Sequence, residues 1–483
     1  LNLRDYQIHD MTKLKAAFKA FKSVLYQLST GGGKTIVALH IVQGALSKQN
    51  ITWFVVNRRR LVKQTSKAMT DAGIPHGIIA SRFPETAATV QVVMIQSVVN
   101  RLDRLALAAF LIFDEFHNAK AATYEKLIRH IPDARILGLT ATPCRLDGKP
   151  LDSIVQTMVT GKPTSWLIAE GYLCDVKIYA PPVGVEDVEL KSQSYGDYAI
   201  ADIIDLMDKP TITGCAIQHY KNISPGKPAL VFCANIKHAE HTAEAFRAAG
   251  ISCESIDSTM AADKLDSILA DFAARKIDVV VSVDLVSEGF DLPCINTAVF
   301  LRHTASLRLI IQMIGRALRP VYAPGFDLTT KAGRLQAIAA SDKPYTILLD
   351  HVGNIRRHDL MGLGLPEWDI EWSLDGEVKR KKPEESSVQV TQCDRCYYMH
   401  PPARICPNCG HCYEAKIRKM QEVIDAQLEE VKREELQKAE RELDRIRMKR
   451  EESRCHSLED WQALAAKRGY KKGWAFMRYN LRG

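Results

Sequence analysis

The sequence predicts an α/β protein: two tandem parallel-sheet lobes followed by a cysteine ribbon, a long charged helix and a small C-terminal segment. Three observations lead there. Short, nearly continuous apolar runs alternate with helical patterns from residue 1 to about 350, as βαβ units do. The alternation breaks near Pro181–Pro182 and resumes at Pro228, which divides it into two lobes. Beyond Asp350 the composition turns charged, and cysteines cluster between 393 and 412.

Strands of the first lobe are expected at Val24–Leu28, Ile51–Val56, Val90–Ile95, Ala109–Phe113 and Ile136–Leu139. They lack the polar alternation of a one-sided sheet, so helices should cover both faces. The stretch from Pro181 to about Pro210 is polar and irregular, with one short helix near Ile200–Met207. Strands of the second lobe are expected at Ala229–Cys233, Asp278–Val283, Thr297–Leu301 and Thr346–Leu349. The resulting division is lobe one over 1–165, a connector over 166–210, lobe two over 211–360 and a linker over 361–390. A ribbon over 391–413, a charged helix over 414–454 and a basic, aromatic segment over 455–483 complete it.

The 483 residues are 46% hydrophobic and 25% charged, which suits a globular chain with more than one core. A net charge of +8 permits nucleic-acid binding without requiring it. The longest apolar runs, near Leu105–Phe113 and Val90–Ile95, are far too short to cross a bilayer. The first thirty residues are charged and interrupted, unlike a signal peptide, so the expected location is inside the cell, in the cytoplasm, with no membrane partner. Twelve cysteines in a chain this long do not make a small disulfide scaffold.

Ser29-Thr30-Gly31-Gly32-Gly33-Lys34-Thr35 follows an apolar strand and precedes a helical pattern. Glycines let backbone N–H groups approach phosphate oxygens, and the helix N-terminus favours negative charge. Lys34 would neutralise the β- and γ-phosphates of ATP and Thr35 would ligate Mg²⁺, although Leu28 stands where the usual first glycine of such a loop would be. Phe110-Leu111-Ile112-Phe113 runs into Asp114-Glu115-Phe116-His117. The carboxyl end of a strand is where doubly wound sheets bind ligands, so Asp114 falls near the Mg²⁺ and Glu115 near the attacking water.

With Thr140-Ala141-Thr142-Pro143, the run 283–293 (Val-Asp-Leu-Val-Ser-Glu-Gly-Phe-Asp-Leu-Pro) and Gln312-Met313-Ile314-Gly315-Arg316-Ala317-Leu318-Arg319-Pro320, five ordered motifs resemble those of superfamily 2 helicases, the DEAD/DEAH group. The likeness covers roughly residues 1–350. It is closer still to helicases carried by phages and prophages and related to repair helicases of the XPB type, a likeness that implies the cytoplasm of a bacterial or phage-infected host cell. It implies two RecA-like lobes and an ATP-dependent motor on nucleic acid, DNA more than RNA, in replication, recombination or repair. An RNA helicase, or an ATP-dependent DNA clamp or loader without strand separation, is the alternative. The resemblance further implies that Tyr6 and Gln7 contact adenine and that Thr30 with Gly31, Gly32 and Gly33 cradles phosphate. Gly289 and Asp291 would shape the ribose edge, and Thr140 and Thr142 would couple hydrolysis to lobe movement. Arg58, Gln96 and Ser97 would touch the nucleic-acid backbone. Gln312, Arg316 and Arg319 would complete the catalytic set from lobe two, the arginines sharing one helical face.

Cys393-x₂-Cys396 and Cys406-x₂-Cys409, nine residues apart, are two paired knuckles that can close a tetrahedral structural Zn²⁺ site. Such a ribbon binds nucleic acid or docks a protein partner. The Glu/Lys/Arg-rich run 414–454 has no Pro or Gly and reads as a solvated helix, a second possible docking element. The last segment interleaves Lys467, Arg468, Lys471, Lys472, Arg478 and Arg482 with Tyr470, Trp474, Phe476 and Tyr479. That mixture suits phosphate attraction with base stacking, or equally a small helical cap.

Overall fold

Each half of the chain winds strands and helices into one twisted, mostly parallel sheet. The computed structural model describes residues 2–116, 122–143, 151, 154–180, 210–283, 292–358, 370, 372–374, 391–392, 399–400, 429–430, 457–468 and 474–476. The first sheet contains β1 (Ser23–Gln27), β2 (Thr52–Val56), β3 (Gly77–Ile79), β4 (Val90–Met94), β5 (Phe110–Phe113), β6 (Arg135–Thr140) and β7 (Thr157–Thr160). Its order is β3-β4-β2-β5-β6-β1-β7, parallel throughout. The second contains β8 (Val176–Ala180), β9 (Ala229–Phe232), β10 (Cys253–Ile256), β11 (Val279–Ser282), β12 (Thr297–Phe300) and β13 (Thr346–Asp350). Here the order is β10-β11-β9-β12-β13-β8, again parallel.

Helices α1 (Asp5–Ala20), α2 (Lys34–Leu46), α3 (Arg59–Asp71), α4 (Ile95–Val98), α5 (Ala122–His130) and α6 (Thr164–Ala169) accompany the first sheet. With the second come α7 (Pro210–Ile223), α8 (Ile236–Ala248), α9 (Ala262–Ala273), α10 (Leu307–Ala317), α11 (Lys331–Ala339) and α12 (Asn354–Arg357).

The period of two along each strand sorts side chains between faces. Val24, Tyr26, Phe54 and Val56 enter one cluster; Leu25, Trp53 and Val55 enter the opposite one. The first of these clusters also takes Leu230, Phe232, Val280, Ala298, Phe300 and Leu348 from the second sheet. One apolar core therefore runs through both lobes, with Leu173 of the crossing segment inside it.

All nine strands expected from the sequence are present. Among β1–β13, four more (β3, β7, β8 and β10) are not apparent from it, and burial helps explain why. The edge strands β7 and β10 keep half-exposed or exposed positions, whereas β1, β2 and β13 are buried throughout. A flanking strand shows no unbroken apolar run. The connector expected over 166–210 needs correction on this account. Its residues Val176–Ala180 form β8, paired with β13 in the second sheet, so the chain has crossed between lobes before Pro181. The expected helix near Ile200–Met207 lies outside the described residues.

Within the run expected as a charged helix, the described pair Glu429–Glu430 is instead extended. It forms β16, antiparallel to β8 at the edge of the second sheet. Exposed i,i+4 pairs contribute only about 0.2–0.5 kcal/mol each, a weak hold on a helix beside a sheet edge with backbone groups to pair. Thr391–Gln392 and Met399–His400 form β14 and β15, an antiparallel pair flanking Cys393 and Cys396. The four paired cysteines themselves lie outside the described residues. Leu458–Lys467 is α13, capped by Ser457, whose hydroxyl accepts from the Asp460 N–H; Trp461 packs edge-on against Trp474. No helix among the described residues is long and apolar enough to cross a membrane.

Candidate nucleotide site between the two sheets

Thr30 to Thr35 connect β1 to α2 at the carboxyl edge of the first sheet. Gly31 and Gly33 adopt left-handed φ values of 82° and 84°, which turn the chain tightly before the helix. At the helix start, Lys34 Nζ donates to the carbonyls of Leu28 at 2.8 Å and Ser29 at 3.4 Å. The lysine is partly accessible at its surface yet densely surrounded by protein, and desolvation pulls its pKa down against the opposing charges of Glu115 and Asp114. Thr35 follows on α2.

Asp114 and Glu115 leave the end of β5. Asp114 Oδ1 accepts the Glu115 N–H at 3.0 Å, and Glu115 sits at φ 48°, a left-handed conformation that costs a non-glycine residue roughly 1 kcal/mol or more. Burial pushes the Asp114 carboxyl up, and the neighbouring Glu115 charge adds to the rise. Thr140 and Thr142 are fully buried beside this edge. Thr140 Oγ1 donates to the Thr142 carbonyl at 2.9 Å and accepts the Thr142 N–H at 3.1 Å, so the turn after β6 is closed on itself.

Helix α10 of the second sheet lies directly over the glycine loop. A Cβ on Gly315 would stand 2.6 Å from Thr30 Cβ, so only glycine allows this approach. Gln312 and Arg316, at 4% and 7% exposure, are buried on α10. The charges of Glu115 and Asp114 act on Arg316, while desolvation lowers its pKa. The stem of Arg319 passes over Gly31, its Cγ 3.8 Å from where a Cβ would be, and burial lowers its pKa to about 10. Lys34, Asp114, Glu115, Arg316 and Arg319 thus converge from two sheets.

Tyr6 and Gln7 sit against the same loop. Tyr6 Oη donates to the Gly32 carbonyl at 2.7 Å; Gln7 Nε2 donates to it at 3.2 Å and to Gly33 at 3.4 Å, while Gln7 Oε1 accepts the Arg4 N–H at 2.9 Å. Both residues are almost fully buried. Farther along the carboxyl edge of the same parallel sheet, after β2 and β4, Gln96 Nε2 donates to the Asn57 carbonyl at 3.2 Å, joining two of the expected nucleic-acid segments. Arg58 precedes α3, and a polar hollow of about 550 Å³ is lined by Gln96, Ser97, Ser81 and Arg104. Gly289 and Asp291 lie outside the described residues.

Trp166, Tyr172 and Arg334 carry no motif signal. Trp166 and Tyr172 pack on Tyr6 with ring centroids at 5.6 and 5.0 Å, and the guanidinium groups of Arg4 and Arg334 lie 4.6 and 4.0 Å from the Tyr172 ring. Arg60 of lobe one and Asp266 of lobe two form an ion pair at 3.3 Å. Trp166 and Tyr172 stand six residues apart in a mixed stretch, so no local pattern marks the segment.

Comparison with known proteins follows the two sheets. Residues 1–145 match the model of the type III restriction enzyme res subunit, and residues 211–321 that of the helicase conserved C-terminal domain. A 51.5 kDa protein of a Lactococcus phage (isolate 7-9) is 28% identical over 416 residues, covering 85% of this chain and 83% of the phage protein. The DNA 3'-5' translocase XPB2 of Sulfurisphaera tokodaii is 24% identical over 363 residues, covering 66% of this chain and 79% of that one. Among solved structures, the ATP-dependent type ISP restriction-modification enzyme LlaBIII bound to DNA superposes with a TM-score of 0.52 at 15% identity, over 72% of this chain and 28% of that one; the likeness is one of fold.

Proposed function

This chain belongs to the superfamily 2 helicases, and from that premise we propose that it is an ATP-driven motor that translocates on DNA and separates or remodels its strands. The observation that carries the reading is the convergence of Arg316 and Arg319 from one sheet on Lys34, Asp114 and Glu115 of the other. The restriction-enzyme model matched by lobe one and the DNA translocase among the relatives favour DNA over RNA.

In this reading Lys34 leaves the Leu28 and Ser29 carbonyls for the β- and γ-phosphates of ATP, and the N–H groups of the glycine loop hold the remaining oxygens. The crowding of Asp114 against Glu115 is the condition that a divalent cation relieves, so Asp114 and Thr35 suit Mg²⁺. Bound there, Mg²⁺ would offset charge on the phosphate oxygens. Glu115 orients the attacking water and takes its proton. Arg316 and Arg319 stabilise charge on the transferring phosphoryl group, with Gln312 behind them on α10; such a finger contributes about 10³–10⁵ in rate. Because the acids and the guanidinium groups stand on different lobes, hydrolysis depends on closure, and product release reopens the cleft. Thr140 and Thr142 join the catalytic edge to the body of lobe one, while Gly289 and Asp291 border the ribose. Arg58, Gln96 and Ser97 hold the strand backbone, and Tyr6 and Gln7 tie adenine recognition to the loop carbonyls they already bind.

Cys393, Cys396, Cys406 and Cys409 bind one structural Zn²⁺, a reading supported by the β14–β15 pair around the first knuckle. The resulting ribbon contacts nucleic acid or a protein partner. Metal analysis should find about one zinc per chain, and zinc-free folded protein would remove the ribbon.

The deciding experiment measures ATPase rate and strand displacement on single-stranded, forked and blunt DNA and on RNA at one salt concentration. DNA-stimulated turnover is expected. Stimulation by RNA alone would reverse the substrate, and ATP binding without turnover on any polynucleotide would leave a clamp rather than a motor.

A further inference from the structure

Helix α10 ends at Ala317, and its last carbonyls have no acceptor role within the helix. Arg319, two residues beyond that end, is aimed only as well as this turn is held. Three successive carbonyls are gripped from outside the helix. Lys343 Nζ donates to Ala317 at 2.7 Å and to Arg319 at 2.6 Å, and the Cys174 N–H donates to Leu318 at 2.8 Å. Thr346 Oγ1, at the start of β13, adds a second bond to Ala317 at 2.7 Å. The third bond of the Lys343 ammonium goes to the Pro293 carbonyl at 3.0 Å, at the end of the motif that runs through Asp291.

We propose that Lys343 is a positioning residue for Arg319: a buried cationic strut that fastens the end of α10 to Pro293 and so sets where the arginine is delivered over the phosphate loop. Stability alone accounts poorly for a lysine here. It is 2% exposed, and the charged or titratable groups that act on it are the thiols of Cys174 and Cys294 and the like-charged guanidinium of Arg319. Burial and Arg319 together pull its pKa down to about 8. An ammonium buried without a carboxylate beside it is costly even when carbonyls accept all its protons, and an apolar side chain of similar length would fill the space at lower cost. What only a multivalent donor supplies is one point fixed to three carbonyls. Cations also suit a helix C-terminus, where the peptide dipoles end negative. Lys343 is itself held by a bond from its N–H to Ser341 Oγ at 3.1 Å.

The inference rests on the reading of Arg319 as the finger, so the test includes R319A. Steady-state ATPase of the full chain with saturating single-stranded DNA is measured for K343M, K343R and T346V, alongside fluorescent-ADP affinity and thermal unfolding. Misplacement by about 1 Å costs up to about 10²-fold. K343M should therefore lower kcat about 10- to 100-fold, with KM for ATP and ADP affinity within about threefold of wild type. K343R, which keeps the charge and several donors, should recover most of the loss. T346V, which removes one bond of the set, should lower kcat about fivefold. A folded K343M with wild-type kcat would overturn the strut, as would ADP affinity lost in step with kcat. Should K343M not fold, an unchanged kcat in T346V overturns it instead. Normal turnover in R319A would remove the finger itself, whereas an inactive R319A beside an unimpaired K343M removes only the strut.

Discussion

The two lobes share a sheet plan but hold their reactive groups by different means. In the first, Asp114 and Glu115 stand on a short turn at a strand end and Lys34 opens α2 directly after the glycine turn, and the backbone is strained locally: Gly31, Gly33 and Glu115 all have positive φ. In the second, Gln312 and Arg316 lie within a regular helix whose placement is decided from outside, by Gly315 against Thr30 and by Lys343 and Thr346 on its final carbonyls. A strained turn carries its chemistry wherever the strand goes. A helix carries it only when packing delivers the right face to the right place. On the reading proposed above the difference suits a motor, since one lobe presents a rigid helix across the cleft and the other a preformed turn for phosphate.

Four experiments would break or sharpen this contrast. The largest effect is expected from Arg319→Ala, which should retain nucleotide binding and lose about 10³- to 10⁵-fold in kcat; single-turnover hydrolysis reads it directly. Next, Lys34→Ala should lower turnover by about 10²–10³-fold or more, with nucleotide affinity falling as well and the thermal unfolding profile preserved. Comparable affinity losses in both variants would erase the division between a binding lobe and an activating lobe. Gly315→Ala introduces a Cβ 2.6 Å from Thr30 Cβ and so holds the lobes apart. It should lower kcat about 10-fold while ADP binding to the first lobe survives, and an unaffected kcat would mean that α10 need not approach Thr30 this closely.

The smallest effect concerns acid stability. His351, stacked on His219 with ring centroids at 5.2 Å, has its pKa lowered by desolvation to about 3 from an ordinary 6.5. A histidine kept neutral in the fold contributes stability that is present above 6.5 and is lost as pH falls toward 3. Asp350 opposes it. Burial raises its carboxyl from 3.8 to about 6, so its contribution is full below 3.8 and is lost as pH rises through 6. His351→Phe should flatten the acid limb of the melting temperature between pH 6.5 and 3; an unchanged limb would place the acid sensitivity elsewhere.

Much of the first lobe was legible because its signals are local. A glycine run between a strand and a helix, and two acids ending an apolar strand, each report a turn and its chemistry within a few residues. The central strands were equally readable, since burial on both faces leaves only apolar side chains. Edge strands were not: Thr157–Thr160 and Cys253–Ile256 mix polar with apolar because one side meets solvent. The crossing at Val176–Ala180 was hidden for a related reason. Its membership of the second sheet depends on pairing with Thr346–Leu349, some 170 residues away, which no local pattern encodes.

By itself the sequence determined which residues can ionise or donate, where a glycine turn opens a helix, and the order of motifs along two α/β lobes. These depend on residue type and short spacing. Only the tertiary structure decided that one apolar core joins the lobes, that α10 reaches Thr30 through Gly315, and that Lys343 closes the end of the arginine helix. Each of those depends on contacts between segments distant in the chain, where the free energy lies in packing and in satisfied carbonyls rather than in any local preference.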